Sequence, residues 1–285
     1  MPHREELAAA VAAVRAAGAV VRDYYDGPTA ATYEKSDGSP VTDADIAADA
    51  IIREVLTRHF PDDAILSEES RDDELRLEEA RCWIVDPIDG TEQFIARTGE
   101  FDILVALVEN GRPIAAAGFQ PATGVLVTAT DGGGAWLCID AAPDRRIHFD
   151  PAAMPIRLGS SKWFGAPEND AIMRAVAERL GSGAARPATT GFSPRLFLAP
   201  RALDCMIGVR PGNDQTMAAE WDFAVTDLVI HEAGGRVTDL AGDPFQYNKP
   251  APRNRGGLVA AVDSPTHAWV VAAIEAERGE SWQDV

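Results

Sequence analysis

Cysteine is scarce in this chain: three of 285 residues, Cys82, Cys138 and Cys205. Their odd number and wide spacing exclude a disulfide framework and point to a reducing compartment. No run of about eighteen apolar residues occurs, so no segment is expected to span a bilayer. Positive charge is also in short supply, with 26 Lys and Arg against 45 Asp and Glu for a net charge of -19. Such a surface repels phosphate backbones, which argues against a nucleic-acid scaffold or a binder of anionic membranes. It is compatible with an enzyme that holds divalent cations. The opening Met1-Pro2-His3-Arg4-Glu5-Glu6-Leu7 turns acidic early, so no signal peptide is expected and a cytoplasmic protein is. Several catalytic motifs are missing as well. There is no G-x-x-x-x-G-K-[ST] loop and no G-x-S-x-G elbow, and His231-Glu232 runs into Ala233-Gly234-Gly235 instead of completing H-E-x-x-H. The histidines (His3, His59, His148, His231 and His267) are scattered, so neither a zinc site nor a Ser-His-Asp triad finds support.

What remains is a globular composition, 46% hydrophobic and 25% charged, long enough for one large or two medium domains. Leu7, Val11, Val14, Ala17, Val21 and Tyr24 recur at helical spacing and predict an amphipathic helix over 5–25. Lys35-Ser36-Asp37-Gly38-Ser39-Pro40 reads as a turn. Thr42-Asp43-Ala44-Asp45 then opens a second helix that ends near His59. Residues 64–67 and 82–86 read as short strands. From 102 to 137 the pattern becomes strands at 103–109, 114–120 and 125–130, then 135–139. They are separated by Asn110-Gly111, a strong hairpin signal, by Pro121-Ala122-Thr123-Gly124 and by Gly132-Gly133-Gly134. After 150 strands and helices alternate: strands at 156–160, 203–209 and 258–262, helices at 168–180, 220–233 and 266–278. Prolines 143, 151 and 155 mark a soft boundary. The expectation is an N-terminal α+β half, 1–150, with an antiparallel sheet, and a C-terminal α/β half, 151–285, sharing one active site. No internal repeat or low-complexity linker is present.

The chemistry lies in carboxylates. Ser67-Glu68-Glu69-Ser70 follows one predicted strand and Asp86-Pro87-Ile88-Asp89-Gly90-Thr91 the next, both at strand ends where open sheets place sites. The second segment has two readings. It can be a tight turn, with Thr91 capping a short helix over 92–96. The same geometry can aim two carboxylates and a carbonyl at one hard divalent cation, with Gly90 and Thr91 amides turned to phosphate and the Thr91 hydroxyl to water. Asp45 is likewise either half of a Thr42-x-x-Asp45 capping box or a site residue, and Asp222 in Glu220-Trp221-Asp222 either steadies a helix N-terminus or joins the cluster.

Taken together these segments resemble the inositol monophosphatase superfamily. The resemblance runs through Lys35-Ser36-Asp37-Gly38-Ser39-Pro40-Val41-Thr42-x-Ala44-Asp45, Glu68-Glu69, Trp83-Ile84-Val85-Asp86-Pro87-Ile88-Asp89-Gly90-Thr91, Trp221-Asp222-x-Ala224 and Glu232-Ala233-Gly234-Gly235, and so covers nearly the whole chain. It implies an α/β (α+β layered) fold, the sugar-phosphatase-like αβαβα sandwich, whose second half carries more parallel sheet. It implies Mg2+-dependent hydrolysis of phosphate monoesters, commonly inhibited by Li+, with two or three Mg2+ per site. By position, Glu68, Asp86, Asp89, Asp222 and the Ile88 carbonyl would hold metal. Thr91 and Glu68 would orient the attacking water, the Gly90 and Thr91 amides would hold phosphate, and Asp45 would support a weaker metal or its waters. Metal ions screen the charge of a phosphate dianion and acidify bound water, so no histidine or cysteine nucleophile is required.

The stretch Glu92-Gln93-Phe94-Ile95-Ala96-Arg97-Thr98-Gly99-Glu100-Phe101 is similar to the 3'(2'),5'-bisphosphate nucleotidase branch, as are the Lys35–Asp45 and Ser67–Glu69 segments. Gly191-x-Ser193-x-Arg195 falls where that branch has a G-S-S-x-K segment, making Ser193 and Arg195 candidate contacts to the substrate's non-reacting part; Arg195 can equally be a surface charge. Val225-Thr226 and Pro200-Arg201-Ala202-Leu203 depart from the pattern and bear on the substrate alone. Three readings follow: a phosphatase of adenosine 3',5'-bisphosphate or a relative, the same chemistry on inositol or a sugar monophosphate, or a non-catalytic metal-binding protein of this fold. The expected partner is a small-molecule phosphate ester, with no nucleic acid and no integral membrane association; members of the family often form homodimers.

Overall fold

The computed structural model describes residues 2–28, 30–36, 38–140, 142, 144–161, 174–182, 186–188, 193–198, 203–209 and 216–277. They divide into two compact units. The first is Met1–Ile147 together with Glu220–Val229 and Tyr247–Pro250. The second is His148–Ala219, Ile230–Gln246 and Ala251–Val285. No helix among the described residues is long and apolar enough to cross a membrane.

In the first unit, α1 (Arg4–Asp26) buries Val14, Ala17 and Val21 of the predicted stripe, while Leu7, Val11 and Tyr24 are half-buried and Ala9, Ala10 and Ala13 complete the buried face. A short antiparallel hairpin follows, β1 (Thr32–Glu34) with β2 (Pro40–Thr42), around the predicted turn. Next, α2 (Asp43–His59) begins with the capping box in place. A seven-stranded sheet follows: β3 (Ala64–Ser67), β4 (Arg81–Asp89), β5 (Asp102–Glu109), β6 (Arg112–Gln120), β7 (Val125–Thr130), β8 (Gly134–Ile139) and β9 (Arg145–Ile147), in chain order. Only β3 and β4 run parallel; every later neighbour is antiparallel. The β5–β6 turn places Asn110 at φ 50° and Gly111 at φ 78°, the mirror-image geometry that the Asn-Gly pair favours.

One face of this sheet packs Trp83, Val85, Ile103, Val105, Leu107, Ala115 and Ala117 into a cluster with the buried stripes of α1 and α2. On the other face Val225, from α5 (Glu220–Glu232), comes within van der Waals reach of Gly118. Covered on both sides, β5 is buried from Asp102 to Val108, which explains its near-continuous apolar run. The three cysteines are free and buried. Burial pushes the Cys82 and Cys205 thiols up to about 12, so neither is a ready nucleophile.

The second unit has a mixed five-stranded sheet in the order β11 (Arg186–Ala188), β10 (Leu158–Ser161), β12 (Cys205–Val209), β16 (Gly257–Ala261), β14 (Arg236–Thr238). The first three strands are parallel and the last three antiparallel. A separate pair joins β13 (Thr216–Ala219) to β15 (Arg253–Arg255). Helical residues 174–179 (α4) belong to the helix predicted over 168–180, whose first residues lie outside those described. With α6 (Ser264–Glu277) this helix packs Val176, Ala177, Val270, Ala273 and Ile274 onto Leu158, Cys205, Ile207, Val259 and Ala261. α5 closes as Gly234-Gly235 predict: Gly234 N–H returns to the His231 carbonyl at 3.0 Å and Gly235 N–H to Ile230 at 2.9 Å.

His267 in α6 is buried, its Nε2 2.8 Å from the Thr238 hydroxyl. Burial, helped by the Arg236 charge, pushes its pKa down to about 4. The native state therefore refuses a proton that the unfolded chain accepts below about 6.5. Stability is unaffected above that pH and falls as pH drops from about 6.5 toward 4, by up to about 1.4 kcal/mol per unit. Urea unfolding of wild type and His267→Gln across that window checks this: wild-type stability should fall relative to the variant's toward acid, and parallel curves would refute it.

Candidate active site

Four segments of the first unit meet at the C-terminal end of β4. This strand continues through the Asp86–Asp89 motif, so the segment is part of the sheet and not a loop after it. The ladder with β5 is irregular between Asp86 and Asp89, where Pro87 can donate no hydrogen bond. That irregularity lets both carboxylates reach one spot. Carboxylate oxygens of Asp86, Asp89 and Asp222 all lie within 4.8 Å of one another. Asp222 arrives on the first turn of α5, more than a hundred positions later in the chain.

Asp86 is buried, and its carboxylate accepts the Ile88 N–H at 3.0 Å. Burial, then the charges of Glu68, Asp89 and Asp222, raise its pKa well above the ordinary carboxylate range. Three of the four carboxylates proposed from the sequence as metal ligands thus converge, and the fourth, Glu68, is near enough for its charge to act on Asp86. Oxygen donors gathered in this way fit a hard divalent cation, because a cation removes the repulsion that folding creates.

Thr91 begins α3 (Thr91–Ile95), and the cap is Gly90, at φ 96°, not Thr91 as the turn reading had it. Released from capping, the Thr91 hydroxyl donates to Asp45 Oδ1 at 3.1 Å, with the Ile88 carbonyl 3.3 Å away. The other Asp45 oxygen, Oδ2, accepts the Thr42 amide at 2.8 Å and the Thr42 hydroxyl at 2.6 Å. Asp45 thus closes the capping box with one oxygen and accepts the Thr91 hydroxyl with the other. Burial raises its pKa, against the opposing hydrogen bonds from Thr42 and Thr91.

Gly90 is a position where glycine is required. A Cβ there would sit at positive φ and meet the Glu100 carbonyl at 3.1 Å. Gly90→Ala is expected to cost about 1–3 kcal/mol of stability and to displace Thr91. Thermal melts with parallel activity assays check it; an alanine variant with wild-type stability and turnover would refute the assignment.

The hairpin between β1 and β2 supplies a group the sequence reading quoted without a role. Lys35 Nζ bonds Glu68 at 2.7 Å and Glu69 at 2.6 Å. Burial works against its charge, but Glu68 and Glu69 outweigh that and raise its pKa. Burial pushes Glu69 up to about 7 despite Lys35. Asp49, one helical turn beyond Asp45, is a group that sequence reasoning missed. Its two oxygens accept the hydroxyls of Ser67 at 2.5 Å and Ser70 at 2.6 Å, bracketing Glu68-Glu69. The serines flanking two acids were the available signal. Ser193 and Arg195 belong to the second unit. Ser193 is buried and precedes the 3-10 turn Pro194–Phe197; the Arg195 side chain lies outside the described residues.

A layered α/β fold with carboxylates converging beside a threonine and a glycine-capped turn defines a class. The sequence model of the inositol monophosphatase family matches residues 3–278, and the chain belongs to that family. Among its relatives is the 3'(2'),5'-bisphosphate nucleotidase CysQ of Salmonella typhimurium, 44% identical over 235 residues, which span 82% of this chain and 90% of that one. The protein of the same name from Escherichia coli K12 is 32% identical over the same shares. The crystal structure of CysQ from Bacteroides thetaiotaomicron superimposes with a TM-score of 0.75 at 27% identity, covering 92% of this chain and 99% of that one.

Proposed function

We propose that this protein is a Mg2+-dependent phosphomonoesterase whose substrate is a 3'(2'),5'-bisphosphate nucleotide. The observation that carries the chemistry is the meeting of Asp86, Asp89 and Asp222 within 4.8 Å, with the Glu68 charge acting on Asp86. The relatives from Escherichia coli and Salmonella typhimurium, both 3'(2'),5'-bisphosphate nucleotidases by name, support the substrate. Asp86, Asp89, Asp222, Glu68 and the Ile88 carbonyl would hold two or three Mg2+, which when bound would screen phosphate charge and acidify water.

The chain's own part is to place and deprotonate that water. The Thr91 hydroxyl spends its hydrogen on Asp45, which leaves its oxygen lone pairs to accept from water. A proton leaving the water moves to Thr91 as the Thr91 proton moves to Asp45 Oδ1. Glu68 offers a second acceptor and fixes the water's direction of attack. The Gly90 and Thr91 amides hold the phosphate. No covalent enzyme intermediate is needed, which agrees with thiols raised to about 12 at Cys82 and Cys205.

Phosphate release from adenosine 3',5'-bisphosphate and from inositol 1-phosphate, side by side with Mg2+, tests the substrate. The expected result is a preference of at least ~10-fold in kcat/KM for the nucleotide, equivalent to about 1.4 kcal/mol in the transition state. Equal rates, or a preference for the inositol ester, would overturn the nucleotide assignment and leave the metal chemistry standing.

A further inference from the structure

We infer that Glu220 is a positioning residue, clamping the first turn of α5 against residues 248–249 so that Asp222 meets Asp86 and Asp89. The inference rests on the reading of Asp222 as a metal ligand. Glu220 is fully buried, and the proposed chemistry gives it no task. Its Oε2 accepts the Asn248 N–H at 2.6 Å, while Oε1 accepts the Lys249 N–H at 3.1 Å and Lys249 Nζ at 2.8 Å. That bracket is itself held from the far side. Arg76, also buried, donates to Asn248 Oδ1 at 2.6 Å and to the Lys249 carbonyl at 2.8 Å, and Asn248 Nδ2 returns a bond to the Arg76 carbonyl at 3.1 Å. Asp72 secures Arg76 through two bonds, at 2.7 and 2.8 Å.

Three segments distant in sequence are thereby locked together, and two of them lead into the candidate metal ligands. Asp72 lies four residues after Glu68, and Glu220 two residues before Asp222. On a helix, residues two apart point about 200° apart. With Glu220 fixed on the 248–249 side, the Asp222 side chain is turned to the opposite side, where Asp86 and Asp89 are. Stability alone does not explain the choice of residues. Burying a carboxylate and a guanidinium carries a desolvation cost that their pairing barely recovers, and apolar replacements of like volume are often as stable or more so. What such a network supplies is a fixed orientation.

The test uses chelator-treated full-length protein and Mn2+ as the probe, with free ion read by electron paramagnetic resonance. Glu220→Gln keeps the shape and removes the charge. Val270→Ala, a cavity in the core of the second unit, is the control for lost stability alone. The inference expects Glu220→Gln to bind Mn2+ at least ~10-fold more weakly than wild type, with kcat recovered at saturating metal. Val270→Ala should bind like wild type even where it melts lower. Equal Mn2+ affinity in wild type and Glu220→Gln would overturn it. If Glu220→Gln does not fold, Lys249→Met decides: it removes one of three donors and should weaken Mn2+ binding several-fold, and unchanged binding would overturn the inference. A wild type that takes up no Mn2+ removes the metal site itself and this inference with it, a result distinct from both of the others.

Discussion

Asp89→Asn is expected to abolish phosphate release while raising the melting temperature of the metal-free protein. The two effects share one cause. Asp86, Asp89 and Asp222 stand with oxygens within 4.8 Å, and the neighbouring charges help raise the Asp86 pKa. Without metal, each negative charge removed relieves the others. The gain should be on the order of 1 kcal/mol, roughly 2–4 °C for a chain of this size. With metal, the asparagine carbonyl is a poorer donor, and the loss in kcat/KM should be on the order of 10³-fold, about 4 kcal/mol. Melts in chelator and initial rates in Mg2+ read the two effects separately. A variant that melts below wild type in chelator, or that keeps its turnover, would contradict the shared site. Wild type and variant both at background on every ester would favour the non-catalytic reading.

Thr91→Ala should lower kcat on the order of 10²–10⁴-fold, the range of a lost proton-transfer group, with little change in KM. Thr91→Ser should recover most of the rate, because the bond to Asp45 needs only the hydroxyl. The helix itself has little at stake, since Gly90 and not Thr91 is its cap. Comparable stability of the two variants in thermal melts, with activity in one only, is the expected pattern. A serine variant as slow as alanine would show that the threonine methyl matters and the hydroxyl does not.

The elements that sequence reads well are those whose signals are local. Asn110-Gly111, the Thr42–Asp45 capping box and Gly234-Gly235 each form where their chemistry predicts, because every partner lies within a few residues. The clustered carboxylates were legible for another reason: Asp86, Asp89 and Asp222 sit in motifs that resemble a family's. Their convergence could not be read from spacing, since Glu220–Val229 returns to the first unit after the chain has built much of the second. The capping reading of Thr91 fails, and its hydroxyl's partner, Asp45, 46 positions away, could not be read from local sequence. Arg76 and Asn248, 172 positions apart, left no trace at all. A buried arginine whose amide partner lies that far along the chain looks in sequence like an ordinary surface charge, and only packing distinguishes it.

The most direct test is a Mg2+ titration of chelator-treated wild type with adenosine 3',5'-bisphosphate as substrate, following phosphate release and melting temperature together. A cation held by converging carboxylates both stabilises the fold and enables the reaction. Release should be absent in chelator, and both quantities should rise over one range of Mg2+. Full release in chelator, or a melting temperature that stays flat while Mg2+ saturates, would contradict the account.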